Sequence, residues 1–159
     1  MLRREPGEEM SWLELVTLPS APFWARRYTR AALHAWQLWP ETIETAELLV
    51  SEMVTNSIKA SGPQPRRLAY SGLAGLERIC LTLRLQPGRI VIEVFDNHPD
   101  PPVLADPGPD SESGRGLMLV DMLSKEWGYQ YPPSGGKIVY ATLGVPEFHH
   151  PAMQPGVAT

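Results

Sequence analysis

Residues 78–95 constrain the fold more than any other stretch of the chain. The runs RICLTLRL (78–85) and RIVIEVF (89–95) are dense in Ile, Leu, Val and Phe, and QPGR between them places Pro87 and Gly88 where a tight turn needs them. Two such runs joined so closely pair as an antiparallel hairpin. Its apolar surface must then be covered by other elements, so the rest of the chain has to supply a second layer.

Helices on the N-terminal side can supply that layer. WLELVTL (12–18) is a short apolar run stopped by Pro19 and reads as a strand. A helix follows, opening near Ser20 with Pro22 in its first turn and running through Phe23, Arg27, Ala31 and Leu33 to Ala35. Pro40 separates it from a second helix over about residues 41–61, with Ile43, Ala46, Leu48, Leu49, Val50, Met53, Val54 and Ile58 at helical spacing and Gly62-Pro63 as a stop. A further strand is expected over 68–72. Residues 96–113 are so rich in proline and acids that neither helix nor central strand is expected there. Helical spacing returns over 114–125 through Leu117, Met118, Val120 and Leu123, and KIVYATL closes a last strand over 136–143.

The order strand, two helices, three strands, loop, helix, strand predicts an α+β two-layer sandwich. Its sheet is expected to be mixed and mostly antiparallel, with three helices on one face. A length of 159 residues suits one domain, here 11–145, with a loose leader over 1–10 and a disordered tail over 146–159. The formal net charge of -4 argues against a direct nucleic-acid partner. Cys80 is the single cysteine, which excludes a disulfide framework and suits a reducing compartment. The N-terminal MLRREPGEEM has acids where a signal peptide is apolar, and no run approaches the roughly 20 apolar residues of a membrane span. A cytoplasmic protein without a membrane partner is expected.

Four segments carry residues suited to chemistry. Glu52 and Asn56 lie about one turn apart on the second helix, where their side chains stack on one line of its surface. Asp96 follows the strand IVIEVF; GRGL (114–117) opens a helix; and GGK (135–137) opens the last strand. Each has an ordinary reading alone: a solvated helix pair, a turn-forming aspartate, a helix entry, and a surface lysine at a hairpin for Lys137. The tryptophans Trp24, Trp36 and Trp39 read as core residues, with a partner surface as the alternative. His34, His98, His149 and His150 lack metal-ligand spacing with any carboxylate pair.

Taken in order, the four segments resemble the GHKL family of ATP-binding domains found in gyrase, histidine kinases and mismatch-repair proteins. They are most similar to its small bacterial branch of anti-sigma-factor serine kinases, and the resemblance covers about residues 12–144. It implies a four- or five-stranded sheet backed by three helices, with ATP and Mg²⁺ held between the helix layer and a lid over about 97–116. It also implies roles for individual residues. Asp96 would accept a hydrogen bond from the adenine amino group. Asn56 would offer a hard oxygen to Mg²⁺, and Glu52 would act as the general base for an attacking hydroxyl. Gly114, Arg115, Gly116 and Leu117 would form the phosphate-facing helix entry, Lys59 would add charge, and Thr142 would support the adenine pocket.

Two departures mark this chain. After the strand it reads Asp96-Asn97-His98-Pro99-Asp100 in place of Asp-x-Gly-x-Gly, and position 60 is alanine where many relatives carry histidine. The function expected from the resemblance is an ATP-dependent serine/threonine kinase. It would phosphorylate an anti-anti-sigma partner of the STAS type, sequester a sigma factor and form a homodimer through the first strand and helix. A non-catalytic, nucleotide-responsive binding module on the same fold is the alternative. With no helix pair bearing a phosphoacceptor histidine, autophosphorylation is not expected.

Overall fold

The computed structural model describes residues 8–60, 77–102 and 115–146. Five strands and three helices follow one another as β1 (Glu9–Val16), α1 (Ala21–Ala35), α2 (Pro40–Ala60), β2 (Arg78–Gln86), β3 (Arg89–Asp96), α3 (Arg115–Leu123), β4 (Glu126–Gln130) and β5 (Lys137–Gly144). The strands form one sheet in the order β1-β2-β3-β5-β4, and all four pairings are antiparallel. The parallel share expected of a mixed sheet is therefore not found among the described strands. The expected strand over 68–72 lies outside the described residues.

The β2–β3 hairpin forms as its composition demands. Gln86 pairs with Arg89 across the two-residue turn, and Gly88 takes φ 75°, a conformation costly for residues with a Cβ. Ile79, Leu81 and Leu83 of β2 and Ile90, Ile92 and Val94 of β3 are buried on one face, as the two-residue period of a strand requires. That face meets α2, whose stripe Ile43, Ala46, Leu49, Val50, Met53, Val54 and Ser57 is buried along the length of the helix. Helix α1 turns Ala21, Ala25, Thr29 and Leu33 inward, and the small residues allow close approach. A bidentate contact from Arg30 to Glu47 ties α1 to α2, and this hydrogen bond and charge hold the guanidinium above its ordinary pKa.

Three details differ from expectation. Glu9 and Met10 already pair with Leu85 and Arg84, so the first strand begins before residue 11. Strand β4 was not expected, because EWGYQ is short and interrupted by Gly128. A Cβ at Gly128 would lie 2.7 Å from the Tyr140 hydroxyl, so a larger residue there would have to push the end of the tyrosine side chain aside. Trp24 and Trp39 are not core residues: they are 55% and 51% exposed, while Trp36 packs against the core. The buried stripe of α1 runs through Ala21, Ala25, Thr29 and Leu33, which leaves Trp24 on the outer side of the helix, edge-on against Phe23.

Candidate functional site

The site lies where the core pattern of β3 and β5 runs out. Counting by two from Ile90 through Ile92 and Val94 brings Asp96 onto the same inward face, and it is 1% exposed. Counting back from Leu143 through Ala141 and Val139 does the same for Lys137, which is 3% exposed. Register then makes Asp96 and Lys137 direct partners on the last rung of the β3–β5 ladder. Lys137 is thus no surface lysine of a hairpin. Strand periodicity turns it into the protein, and the buried carboxylate opposite offsets the cost of desolvating its charge.

The polar contacts around this rung are few. Lys137 Nζ donates to Asp96 Oδ1 at 2.8 Å and to the His98 carbonyl oxygen at 3.0 Å. The His98 backbone N–H donates to the same Oδ1 at 2.9 Å, closing a turn immediately after β3. The other carboxylate oxygen, Asp96 Oδ2, is buried and has no hydrogen-bond partner. Buried polar atoms are nearly always satisfied, so an orphan acceptor beside a pocket is a candidate partner for a ligand or an ordered water.

Asp96 and Lys137 form one wall of a pocket of about 220 Å³. Met53, Asn56, Ser57 and Ala60 of α2 form another, at the i, i+3, i+4, i+7 spacing of one helix face. Asp100, Pro101 and Pro102 border it after β3, and Leu117 of α3 and Val139 of β5 supply apolar surface. The volume is below the about 300–1,000 Å³ usual for a drug-sized ligand, so the pocket suits one planar group with the remainder of the molecule projecting outward. Asn56 Nδ2 is another buried polar atom without a partner among the described residues. A half-turn of the amide exchanges its nitrogen and oxygen, so the same position can present a donor or a hard oxygen.

The structure thus brings together Asn56, Asp96 and Leu117. Glu52 is half-buried about 6 Å along the helix axis from Asn56 and does not line the pocket. Lys59 is exposed and also does not line it. Thr142 is not part of the site. It lies about 17 Å along β5 from Lys137, opposite Val91 and Glu126, and donates to the Glu126 carbonyl oxygen at 3.4 Å. Arg115 and Gly116 start α3, while Gly114 and most of the expected lid over 97–116 lie outside the described residues. Lys137 is the functional candidate that sequence reading missed. The alternation back from Leu143 was the signal that could have found it.

Gly135 and Gly136, which lead into β5, both have positive φ, 94° and 73°. They differ in their surroundings. A Cβ on Gly136 would stand 2.4 Å from the Asp96 carbonyl oxygen and 2.8 Å from the Phe95 ring, whereas one on Gly135 meets nothing within 4 Å. Gly136→Ala is therefore expected to cost about 2–5 kcal/mol, the left-handed penalty plus the forced displacement of β3, against about 1–2 kcal/mol for Gly135→Ala. Urea denaturation of the two variants checks this; equal losses would show that the close approach at Asp96 is unimportant.

The class of protein follows from these features. The molecule is an α+β sandwich with a pocket between its central helix and the sheet end, and Asp96 Oδ2 in that pocket has no hydrogen-bond partner. The family profile of the histidine kinase-like ATPase domain matches residues 20–143, and the chain belongs to that family. No curated protein sequence matches the chain significantly. The GHKL-type resemblance and the α+β fold expected from sequence are borne out by the family match. Among the described residues, no helix is long and apolar enough to cross a membrane.

Proposed function

We propose that this chain is an ATP-dependent protein serine/threonine kinase of the anti-sigma-factor type. It transfers the γ-phosphoryl group of ATP to an anti-anti-sigma partner of the STAS type and sequesters a sigma factor. The observation that carries the reading is the meeting, in one pocket, of the two buried orphan groups, Asp96 Oδ2 and Asn56. Asp96 Oδ2 accepts from the adenine amino group, and the apolar surfaces of Met53, Leu117 and Val139 enclose the base. Asn56, turned with its oxygen outward, fits Mg²⁺, which takes hard oxygen ligands and would neutralise phosphate charge. Beyond the pocket mouth, the start of α3 at Arg115 and Gly116 meets the phosphates with free backbone N–H groups, and Lys59 adds positive charge. Glu52, on the flank of α2 beyond Asn56, takes the proton of the attacking serine hydroxyl.

Calorimetry with MgATP, ADP and GTP tests the site. ATP is expected to bind in preference to GTP, and Asn56→Ala to weaken MgATP binding by about tenfold. Absence of ATP binding would remove the kinase reading. It would favour the second one, a non-catalytic regulatory module, which is supported by Ala60 offering only a methyl group to the pocket and by the Asn97-His98-Pro99-Asp100 sequence after Asp96.

The same proposal includes a homodimer through β1 and α1. Among the described residues strand β1 is a sheet edge, and Trp12 and Trp24 are 60% and 55% exposed on these two elements. Sedimentation is expected to show a dimer that Trp24→Asp shifts toward monomer; a monomer at all concentrations would remove this part of the reading.

A further inference from the structure

We infer that Lys137 is a specificity-determining residue of the nucleotide site, donating a hydrogen bond from its ammonium group to ring nitrogen N1 of adenine while Asp96 Oδ2 accepts from the 6-amino group. The inference deepens the ATP-binding reading and rests on it.

An ammonium group has three N–H donors. Lys137 uses one on Asp96 Oδ1 and a second on the His98 carbonyl oxygen. These two acceptors leave one N–H of the three for a ligand, and Lys137 lines the pocket. Asp96 is divided in the same way. Both of its hydrogen bonds fall on Oδ1, from Lys137 Nζ and from the His98 N–H, which leaves Oδ2 as its one oxygen open to a ligand. The orphan acceptor and the remaining donor therefore sit side by side, linked through a single carboxylate at 2.8 Å.

An acceptor beside a donor is the complement of adenine, whose exocyclic amino group donates and whose neighbouring N1 accepts. Guanine placed in the same orientation turns its carbonyl oxygen toward Oδ2 and its N1–H toward the ammonium. Both contacts then set like against like. A carboxylate alone opposes guanine once; the carboxylate–ammonium pair opposes it twice, and discrimination by unpaired buried groups grows with each mismatch. Burial makes the opposition effective, because Asp96 and Lys137 are 1% and 3% exposed and water has little access to restore a lost partner.

The test uses the full chain and three triphosphates in calorimetry: ATP, 1-deaza-ATP, which keeps the amino group but replaces N1 with C–H, and purine riboside triphosphate, which keeps N1 but lacks the amino group. The unaltered chain is expected to bind 1-deaza-ATP about 10- to 100-fold more weakly than ATP. In Lys137→Met the ratio is expected to fall to about one. If that variant does not fold, the analogue comparison on the unaltered chain decides the matter alone. Equal affinity for ATP and 1-deaza-ATP overturns the role of Lys137; the adenine-reading role of Asp96 then still stands if purine riboside triphosphate binds more weakly than ATP. Equal affinity for ATP and purine riboside triphosphate overturns the Asp96 reading, and no ATP binding overturns both.

Discussion

Lys137→Met is expected to lower the free energy of unfolding by about 3–5 kcal/mol, the usual cost of leaving one member of a buried ion pair without the other. The side chains of Lys137 and Asp96 are 4% and 2% exposed and their charged atoms are 2.8 Å apart, so neither charge has solvent to fall back on. Methionine keeps the length and apolar stem of lysine and removes only the ammonium. Asp96 would then hold a buried negative charge against a single backbone N–H, that of His98. Asp96→Leu is expected to cost a similar amount for the opposite reason, stranding the ammonium on the His98 carbonyl. The double variant Lys137→Met, Asp96→Leu removes both charges at once. It is expected to recover most of either loss, because an apolar pair of similar volume pays no desolvation cost. Urea denaturation of the four proteins measures the coupling. Single-variant losses below about 1 kcal/mol would mean that the pair is hydrated and behaves like a surface salt bridge.

Glu52→Ala is expected to lower the rate of phosphoryl transfer to the protein partner by about 10²- to 10⁴-fold, the usual contribution of a general base, with ATP affinity nearly unchanged. The division between rate and affinity comes from where the residue stands. Asn56 lines the pocket and Glu52 does not, so removing the Glu52 carboxylate takes nothing away from the enclosure of the base. One helical turn separates the two on the same helix, about 6 Å along its axis, which is the offset the proposed role requires between the residue that holds the nucleotide and the one that takes the proton. Single-turnover transfer of labelled phosphate, paired with calorimetry on the same preparation, measures both quantities. A variant that transfers phosphate at the original rate would remove Glu52 from the mechanism, and one that loses ATP binding would place Glu52 in the binding site.

The hairpin of β2 and β3 was legible because each strand alternates between a buried and a half-buried face, and Pro87-Gly88 provides the turn between them. The stripe of α2 was legible for the same kind of reason, a period of 3.6 residues sustained over a long helix. Strand β4 was not. Five residues with a central glycine carry too little local preference, and the strand exists because β5 offers it a partner edge from Ile138 to Thr142. The site was legible in part. Asn56, Asp96 and Leu117 were named from their motifs and share one pocket. Thr142 was named from its strand alone, and the register of that strand places it at the far end.

Local sequence by itself determined the element types, the buried faces of the hairpin and α2, and the segments that carry the polar residues, because these depend on the spacing of neighbours along the chain. Tertiary structure decided which of those residues meet. The antiparallel register of β3 and β5 sets Asp96 against Lys137, and their shared inward face buries both, leaving Oδ2 of the carboxylate as the open acceptor. No local preference contains that pairing. It arises from hydrogen bonds between strands separated in sequence by the whole of α3 and β4, whose last rung places both residues in the interior.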